Sequence, residues 1–356
     1  MSIAGIVTSA DELTPEWFAE VLRAPVTGVA LEAVGGGLMA RMMRARLEYA
    51  PGASGPDSVV VKFPSDDQGS LGLALAMGMY ELEISFYRDV APLLTDLSFP
   101  ACYLAVRDDS TGMFTLVLED LAGSTPGDVL TPCTTDECAA VLSELVAFQA
   151  PMWNSPTAAG MAWLADPRRT LGVFDALPAG LDPFIERFGH GLDPAHVELF
   201  ERVLPMAGSW VRSWTAPVVI QHGDFRSDNI MFGREPGAAP VSVIDFQTLR
   251  LGPPGVDPAY FLGSSLTTEV RRVAEEGLMR EYHQRLQAAG VEGYDFNACW
   301  DSYREGSLYG VMLFVGMASQ VESTERGDRV ILNQIRRYAD MAVDLDAFAL
   351  LGADRV

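Results

Sequence analysis

The stretch HGDFRSDN, residues 222–229, sets Asp224 and Asn229 five positions apart just after an apolar run, and a second apolar run ends in IDFQ, which contains Asp245. Polar side chains that leave buried strands into loops are well placed to converge on one point. Two carboxylates and a carboxamide gathered there would suit magnesium, which takes hard oxygen ligands, few of them from protein, and phosphate oxygens for the rest. The chemistry this suggests is phosphoryl transfer, in which one carboxylate faces the attacking hydroxyl and others hold the metal. Asp224 is then the candidate base. Asn229 offers a neutral oxygen that adds no repulsion toward a nucleotide, and Asp245 supplies the charged ligand between metal and phosphates. Lys62, in SVVVKFPSD, stands out for another reason: it is the one lysine among 25 basic residues. A chain that otherwise uses arginine points with this lysine to a place where a compact ammonium is needed and a wide planar fork is not.

These residues need elements to position them. Thr14, Pro15 and Glu16 signal a helix start, with a capping hydroxyl followed by proline at the first helical position. Residues 26–34 and 38–49 read as two strands joined by Gly35, Gly36 and Gly37, and residues 59–63 read as a third strand with Lys62 near its end. Leu73, Met77, Tyr80, Ile84 and Tyr87 then recur at helical spacing, which predicts one helix ending at Pro92. ACYLAV and MFTLVLE give two further strands, and DLAGSTPGD is a connector rich in turn residues. Beyond it the pattern is mostly helical, except for short apolar strands between polar loops in 217–246.

HGDFRSDN together with IDFQ resembles the catalytic loop and metal motif of the aminoglycoside phosphotransferase and choline kinase superfamily, and within it the ecdysteroid-kinase-like branch. GGGLMARMMRARLEY, SVVVKFPS, ELEISFYRDVAP and LVLEDL stand ahead of these two motifs in the family's order, and six motifs in register are far more specific than one. The resemblance implies an α+β, bilobal, protein-kinase-like fold. Residues 1–121 would form a nucleotide-binding lobe with a five-stranded antiparallel sheet plus helix, and residues 122–356 a larger, mostly helical catalytic and substrate-binding lobe. It makes Asp224 the catalytic aspartate, Asn229 and Asp245 the magnesium ligands, and Lys62 the lysine on the inner phosphates of ATP or GTP. Glu83 becomes the partner of Lys62, with Glu81 as the alternative. Gly35, Gly36 and Gly37 resemble the turn that covers the phosphates. Glu119, Asp120 and Leu121 resemble the hinge whose main chain meets the base. Arg226 stands where many protein kinases place a lysine near the transferred phosphate, Gln247 replaces a glycine of their metal motif, and Asp257 resembles an aspartate that braces the catalytic loop. His222 reads as a structural imidazole. The acceptor pocket would draw on residues 260–266, and Asp301 and Glu305 share a helical face that could meet an amine or water.

Composition sets the limits around this reading. A net charge of −23 repels polyanions, which argues against nucleic acid as a partner. The four cysteines follow no zinc spacing and are few for a disulfide scaffold. With no basic leader and no apolar run of about 18 residues, the chain reads as a cytoplasmic protein without a membrane span. The expected partners are a nucleotide and a small hydroxylated substrate. Three other functions compete. A protein kinase would need a longer segment after Asp245, an inactive nucleotide-binding module would be expected to lack one of the key residues, and a metallohydrolase would need more histidine than this region has.

Overall fold

β-branched and apolar runs punctuated by turn residues form five strands in the first part of the chain: β1 (Val26–Ala33), β2 (Ala40–Tyr49), β3 (Ser58–Pro64), β4 (Cys102–Arg107) and β5 (Phe114–Glu119). They make one sheet in the order β1-β2-β3-β5-β4 with every neighbour antiparallel. The computed structural model describes residues 5–35, 39–318 and 323–351. The chain divides into two units, the first comprising Met1–Thr125, Gly233–Ala238 and Ser242–Thr248, and the second Pro126–Phe232, Ala239–Val241 and Leu249–Val356.

In the first unit, α1 (Pro15–Leu22) begins where Thr14 accepts a hydrogen bond from the Trp17 amide. Its Phe18 is fully buried in a core with Val59, Val61 and Phe63 of β3. Side chains alternate across a strand, so Lys62 points to the face opposite Val61 and Phe63. The helix expected over 71–92 is broken in two: α2 (Gln68–Met77) stops at Gly78, which has φ +66°, and α3 (Met79–Ser85) starts there. Glycine adopts this left-handed conformation without a Cβ penalty, and its amide caps the turn by donating to the Ala74 and Leu75 carbonyls. The apolar spacing runs unbroken across the site, which is why periodicity does not reveal the stop. A π-helical turn over Phe86–Val90, closed by the Ala91 amide donating to the Phe86 carbonyl, continues α3.

The second unit is largely helical. Its helices are α4 (Thr135–Gln149), α5 (Pro156–Gly160), α6 (Pro167–Ala176), α7 (Leu181–Phe188), α8 (Pro194–Val203), α9 (Ala207–Arg212), α10 (Val256–Ser265), α11 (Thr268–Ala288), α12 (Phe296–Gly306), α13 (Leu308–Met317) and α14 (Glu325–Asp344). The core includes Phe174, Phe200, Tyr260, Tyr309, Ile335 and Tyr338. Five further strands, not confined to the second unit, are short: β6 (Ser124–Pro126), β7 (Val219–Gln221), β8 (Ile230–Gly233), β9 (Val241–Val243) and β10 (Arg250–Gly252). β6 lies within the stretch read from sequence as a connector. β10 pairs antiparallel with β7, an element that three residues cannot announce by pattern.

Candidate active site

In the first unit, Lys62 Nζ lies 2.7 Å from Glu83 Oε2 on α3 and 2.7 Å from Asp245 Oδ1. Of the two candidate glutamates, Glu83 is the one that Nζ meets. The Lys62 and Glu83 side chains are 8% and 2% exposed, whereas Asp245 keeps 22%. Burial works against the Lys62 ammonium, but the two carboxylates outweigh it and hold the ammonium above its ordinary range. Burial raises the Glu83 carboxyl to about 7 in spite of Lys62. A buried cation between two carboxylates is an expensive arrangement, and perturbed ionisable groups of this kind concentrate at functional sites.

Asp245 reaches Lys62 from far along the chain because the segment around it is anchored in the first unit. The Val243 amide donates to the Ser98 carbonyl at 2.9 Å, and the Ser98 and Ser242 hydroxyls meet at 2.7 Å. Phe246 stacks on Phe86 with centroids 3.6 Å apart and edges against Tyr87 and Phe99. The π turn of α3 supplies both Phe86 and Tyr87. Asp245 itself has φ +69°, a conformation rare for a residue other than glycine, and such strain clusters at functional positions. Gln247 Nε2 donates to its Oδ2 at 2.9 Å.

In the second unit, β7 delivers the chain into the loop that carries Asp224. Gly223 has φ +82° there, and every polar atom of its backbone is held. Its amide donates to Asp257 Oδ1 at 3.1 Å, and its carbonyl accepts from Arg250 Nη2 at 2.9 Å and from the Tyr309 hydroxyl. Asp257, fully buried on α10, also accepts from the His222 amide at 2.8 Å. Phe225 is buried against the rings of His222 and Phe261. The turn thereby presents Asp224, whose side chain is 27% exposed.

Arg226 Nε donates to Asp224 Oδ1 at 2.8 Å, and its Nη2 lies 3.4 Å from Oδ2 and 3.2 Å from Asp228. Asn229 Nδ2 donates to both the Asp224 carbonyl and Oδ2, at 2.8 and 3.0 Å. Burial alone would raise the Asp224 carboxyl; the Arg226 guanidinium and these hydrogen bonds hold it below the usual range, so it is a carboxylate at neutral pH. The Tyr260 hydroxyl lies 3.5 Å from Oδ1. The His222 ring accepts a long bond from the Asp224 amide at 3.4 Å.

Gly35 has φ +72°, and a Cβ on it would come within 2.5 Å of Met42 Cε; Gly36 and Gly37 lie outside the described residues. The residues expected at the hinge begin with Glu119, the last of β5. Glu119 Oε2 accepts from the Ala101 amide at 3.0 Å, and the Leu121 carbonyl from the Ser124 amide at 2.9 Å. The Asp120 carboxylate takes both arms of Arg44, at 2.7 and 3.1 Å, and the Ser58 hydroxyl at 2.6 Å, which fastens the start of the hinge to β2 and β3. Sequence reading assigned the hinge to main chain alone and missed this side-chain anchor, as it missed Arg250 and Tyr309. None has a local signal, since each partner lies far away in sequence. Asp301 pairs with Arg304 at 3.0 Å, and Glu305 accepts from the Trp210 indole at 2.8 Å, so both helical carboxylates have partners within the unit.

A family model described as the ecdysteroid kinase-like family matches residues 34–153 and 191–290. A search of curated proteins finds no match. Among solved structures, the GDP and kanamycin complex of the aminoglycoside phosphotransferase APH(2")-IIia is similar with a TM-score of 0.53 at 13% identity, covering 89% of this chain and 95% of that one. The Plasmodium vivax ethanolamine kinase gives 0.52 at 9% identity over 92% and 84%. ADP-bound aminoglycoside phosphotransferase APH(2'')-Ib gives 0.50 at 14% identity over 92% and 97%. These structures share the fold: a five-stranded antiparallel sheet with its helix, followed by a mostly helical remainder. The match over more than half the chain, in the regions that carry Lys62, Glu83, Asp224 and Asp245, identifies this protein as a member of the ecdysteroid kinase-like family.

Proposed function

We propose that the protein transfers the γ-phosphate of ATP or GTP to a hydroxyl of a small molecule, with residues 1–121 as the nucleotide-binding lobe and 122–356 as the catalytic and substrate-binding lobe. The observation that carries this reading is the buried Lys62 ammonium between Glu83 and Asp245. It is a point charge braced for phosphate, close to a carboxylate that can hold a cation. The GDP and ADP in structures of the same fold support the choice of donor.

Lys62 binds the inner phosphates, Glu83 keeps its ammonium in place, Gly35 lies at the start of the glycine stretch that covers the phosphates, and the main chain of 119–121 holds the base. The hydroxyl oxygen of the acceptor attacks the γ-phosphorus, the bond to the leaving nucleoside diphosphate breaks, and Asp224 receives the hydroxyl proton. Arg226 keeps Asp224 weakly basic, which suits a loose transition state in which the proton moves late. As the phosphoryl group passes, Arg226 also offers it positive charge.

Magnesium is the ion this chemistry implies, and the residues present fit it. An ion held by Asp245 and Asn229 would take two protein oxygens and fill its shell from phosphates and water, as magnesium does. With its Nδ2 committed to Asp224, Asn229 has its amide oxygen to give. When bound, magnesium neutralises the phosphate oxygens of the donor.

Residues 246–255 are all that separates Asp245 from α10, too few for a segment on which a protein substrate would rest, which favours a small acceptor. No described helix is long and apolar enough to cross a membrane. No disulfide joins the four cysteines, which suits a reducing compartment, and we place the protein in the cytoplasm. The test is a thermal-shift screen of ATP and GTP with and without magnesium, followed by a transfer screen over hydroxylated metabolites and antibiotics. With the acceptor in hand, Asp224→Asn should reduce transfer by about a hundredfold or more. Transfer at the wild-type rate would remove Asp224 from the role of base.

A further inference from the structure

Gln247 lies two residues beyond Asp245 in the same unit. Its Nε2 donates to Asp245 Oδ2 at 2.9 Å, while Oδ1 of that carboxylate meets Lys62 Nζ at 2.7 Å. The carboxylate is pinned at both oxygens, on a residue already held at φ +69°. The contact requires a donor, which the Gln247 amide supplies, whereas a glutamate at 247 would set a second anion against Asp245. The other end of the Gln247 side chain is the unusual part. Oε1 is buried and has no hydrogen-bond partner among the described residues. A buried amide oxygen without a donor is costly, because it loses its hydration and gains nothing in exchange. Such an atom, on a side chain whose other end holds the strained Asp245, marks the place where a donor arrives with a ligand.

Resting on the reading of Asp245 as a cation ligand, we propose that Gln247 is a positioning residue for that ion. Nε2, with Lys62 at the other oxygen, fixes the rotation of the Asp245 carboxylate in the orientation in which it would meet the cation, and Oε1 would accept a hydrogen bond from a water the cation carries. Groups that orient a metal ligand in this way govern affinity for the ion without touching the nucleotide. The effect therefore appears in cation binding and is absent from nucleotide binding measured without a divalent ion.

The test uses the full chain saturated with whichever non-hydrolysable ATP or GTP analogue the wild type binds, and Mn²⁺ as the probe, with free ion read by electron paramagnetic resonance. Gln247→Met keeps the length of the side chain and removes both polar ends; Gln247→Ala guards against misfolding of the first variant. Mn²⁺ affinity of the nucleotide complex should fall by about tenfold or more, with the resonance of the bound ion altered and the nucleotide affinity in EDTA unchanged. Wild-type Mn²⁺ affinity in a variant that keeps its circular dichroism spectrum overturns the role of Gln247 and leaves the kinase reading standing. Loss of nucleotide affinity in EDTA along with Mn²⁺ affinity also overturns it, since the residue would then be structural. Failure of the wild-type protein to bind Mn²⁺ with either analogue overturns the cation reading of Asp245 and this inference with it.

Discussion

At the scale of single residues, the feature that most constrains chemistry is the size of a positive charge. Lys62 Nζ has two carboxylate partners at 2.7 Å in an enclosed site, a space suited to one compact ammonium. A guanidinium carries the same charge on a planar fork with fixed directions, and it cannot take the same two partners from one point. Lys62→Arg should lower kcat/KM by roughly a hundredfold, the scale seen when one preorganised charge is lost from an active site. Steady-state kinetics on the identified acceptor checks this, with circular dichroism to establish that the fold persists. Turnover at the wild-type level would remove Lys62 from the phosphate site. Asp224 makes the complementary point. It is held ionised by Arg226, so in the proposed reaction its part would be to aim a hydroxyl and receive a proton late, for which a strongly basic carboxylate is not required.

At the scale of elements, what matters is how a loop is made to hold one shape. The chain leaving β7 turns at Gly223, where φ is +82° and Asp257, Arg250 and Tyr309 between them hold the amide and the carbonyl. A Cβ in this conformation costs about 1–2 kcal/mol. Gly223→Ala should therefore lower stability by about that amount, and if the backbone relieves the strain by rotating, Asp224 moves with it. Chemical denaturation gives the first quantity. The second appears as a fall in kcat larger than any change in nucleotide affinity, and an alanine variant with unchanged stability and turnover would show that the left-handed turn is dispensable. The π turn after α3 belongs at this scale too. It brings Phe86 and Tyr87 onto Phe246, the residue that follows Asp245, and so anchors that stretch of chain.

At the scale of the whole molecule, a net charge of −23 spread over 356 residues works against the folded state through self-repulsion. Most of the arginine pairs along helices are exposed and contribute little. Screening should thus relieve more repulsion than it removes attraction. Raising sodium chloride from about 0.01 M to about 0.15 M, which shortens the Debye length from about 30 to about 8 Å, should raise the melting temperature by about 1–2 °C, the shift expected for about 1 kcal/mol in a chain of this length. Calorimetry in metal-free buffer checks it; a melting temperature that falls with salt would mean that ion pairs dominate the balance.

The sequence by itself determined which residues are available for chemistry and on which kind of element each one sits. Alternation along β3 is enough to put Lys62 on the face away from Val61 and Phe63, and the order of six short motifs is enough to suggest the family. Periodicity of two or of three to four residues records the face a side chain takes, because that depends only on local geometry. Partners across long separations are a different matter. The bond from Lys62 to Asp245 spans 183 positions, the one from Tyr309 to Gly223 spans 86, and Arg44 reaches Asp120 across 76. No local pattern encodes such pairings, and they form only when packing brings the segments together. The break at Gly78, the pairing of β10 with β7, and the return of residues 242–248 to the first unit were likewise decided by tertiary structure, since each depends on contacts that lie outside any window of sequence.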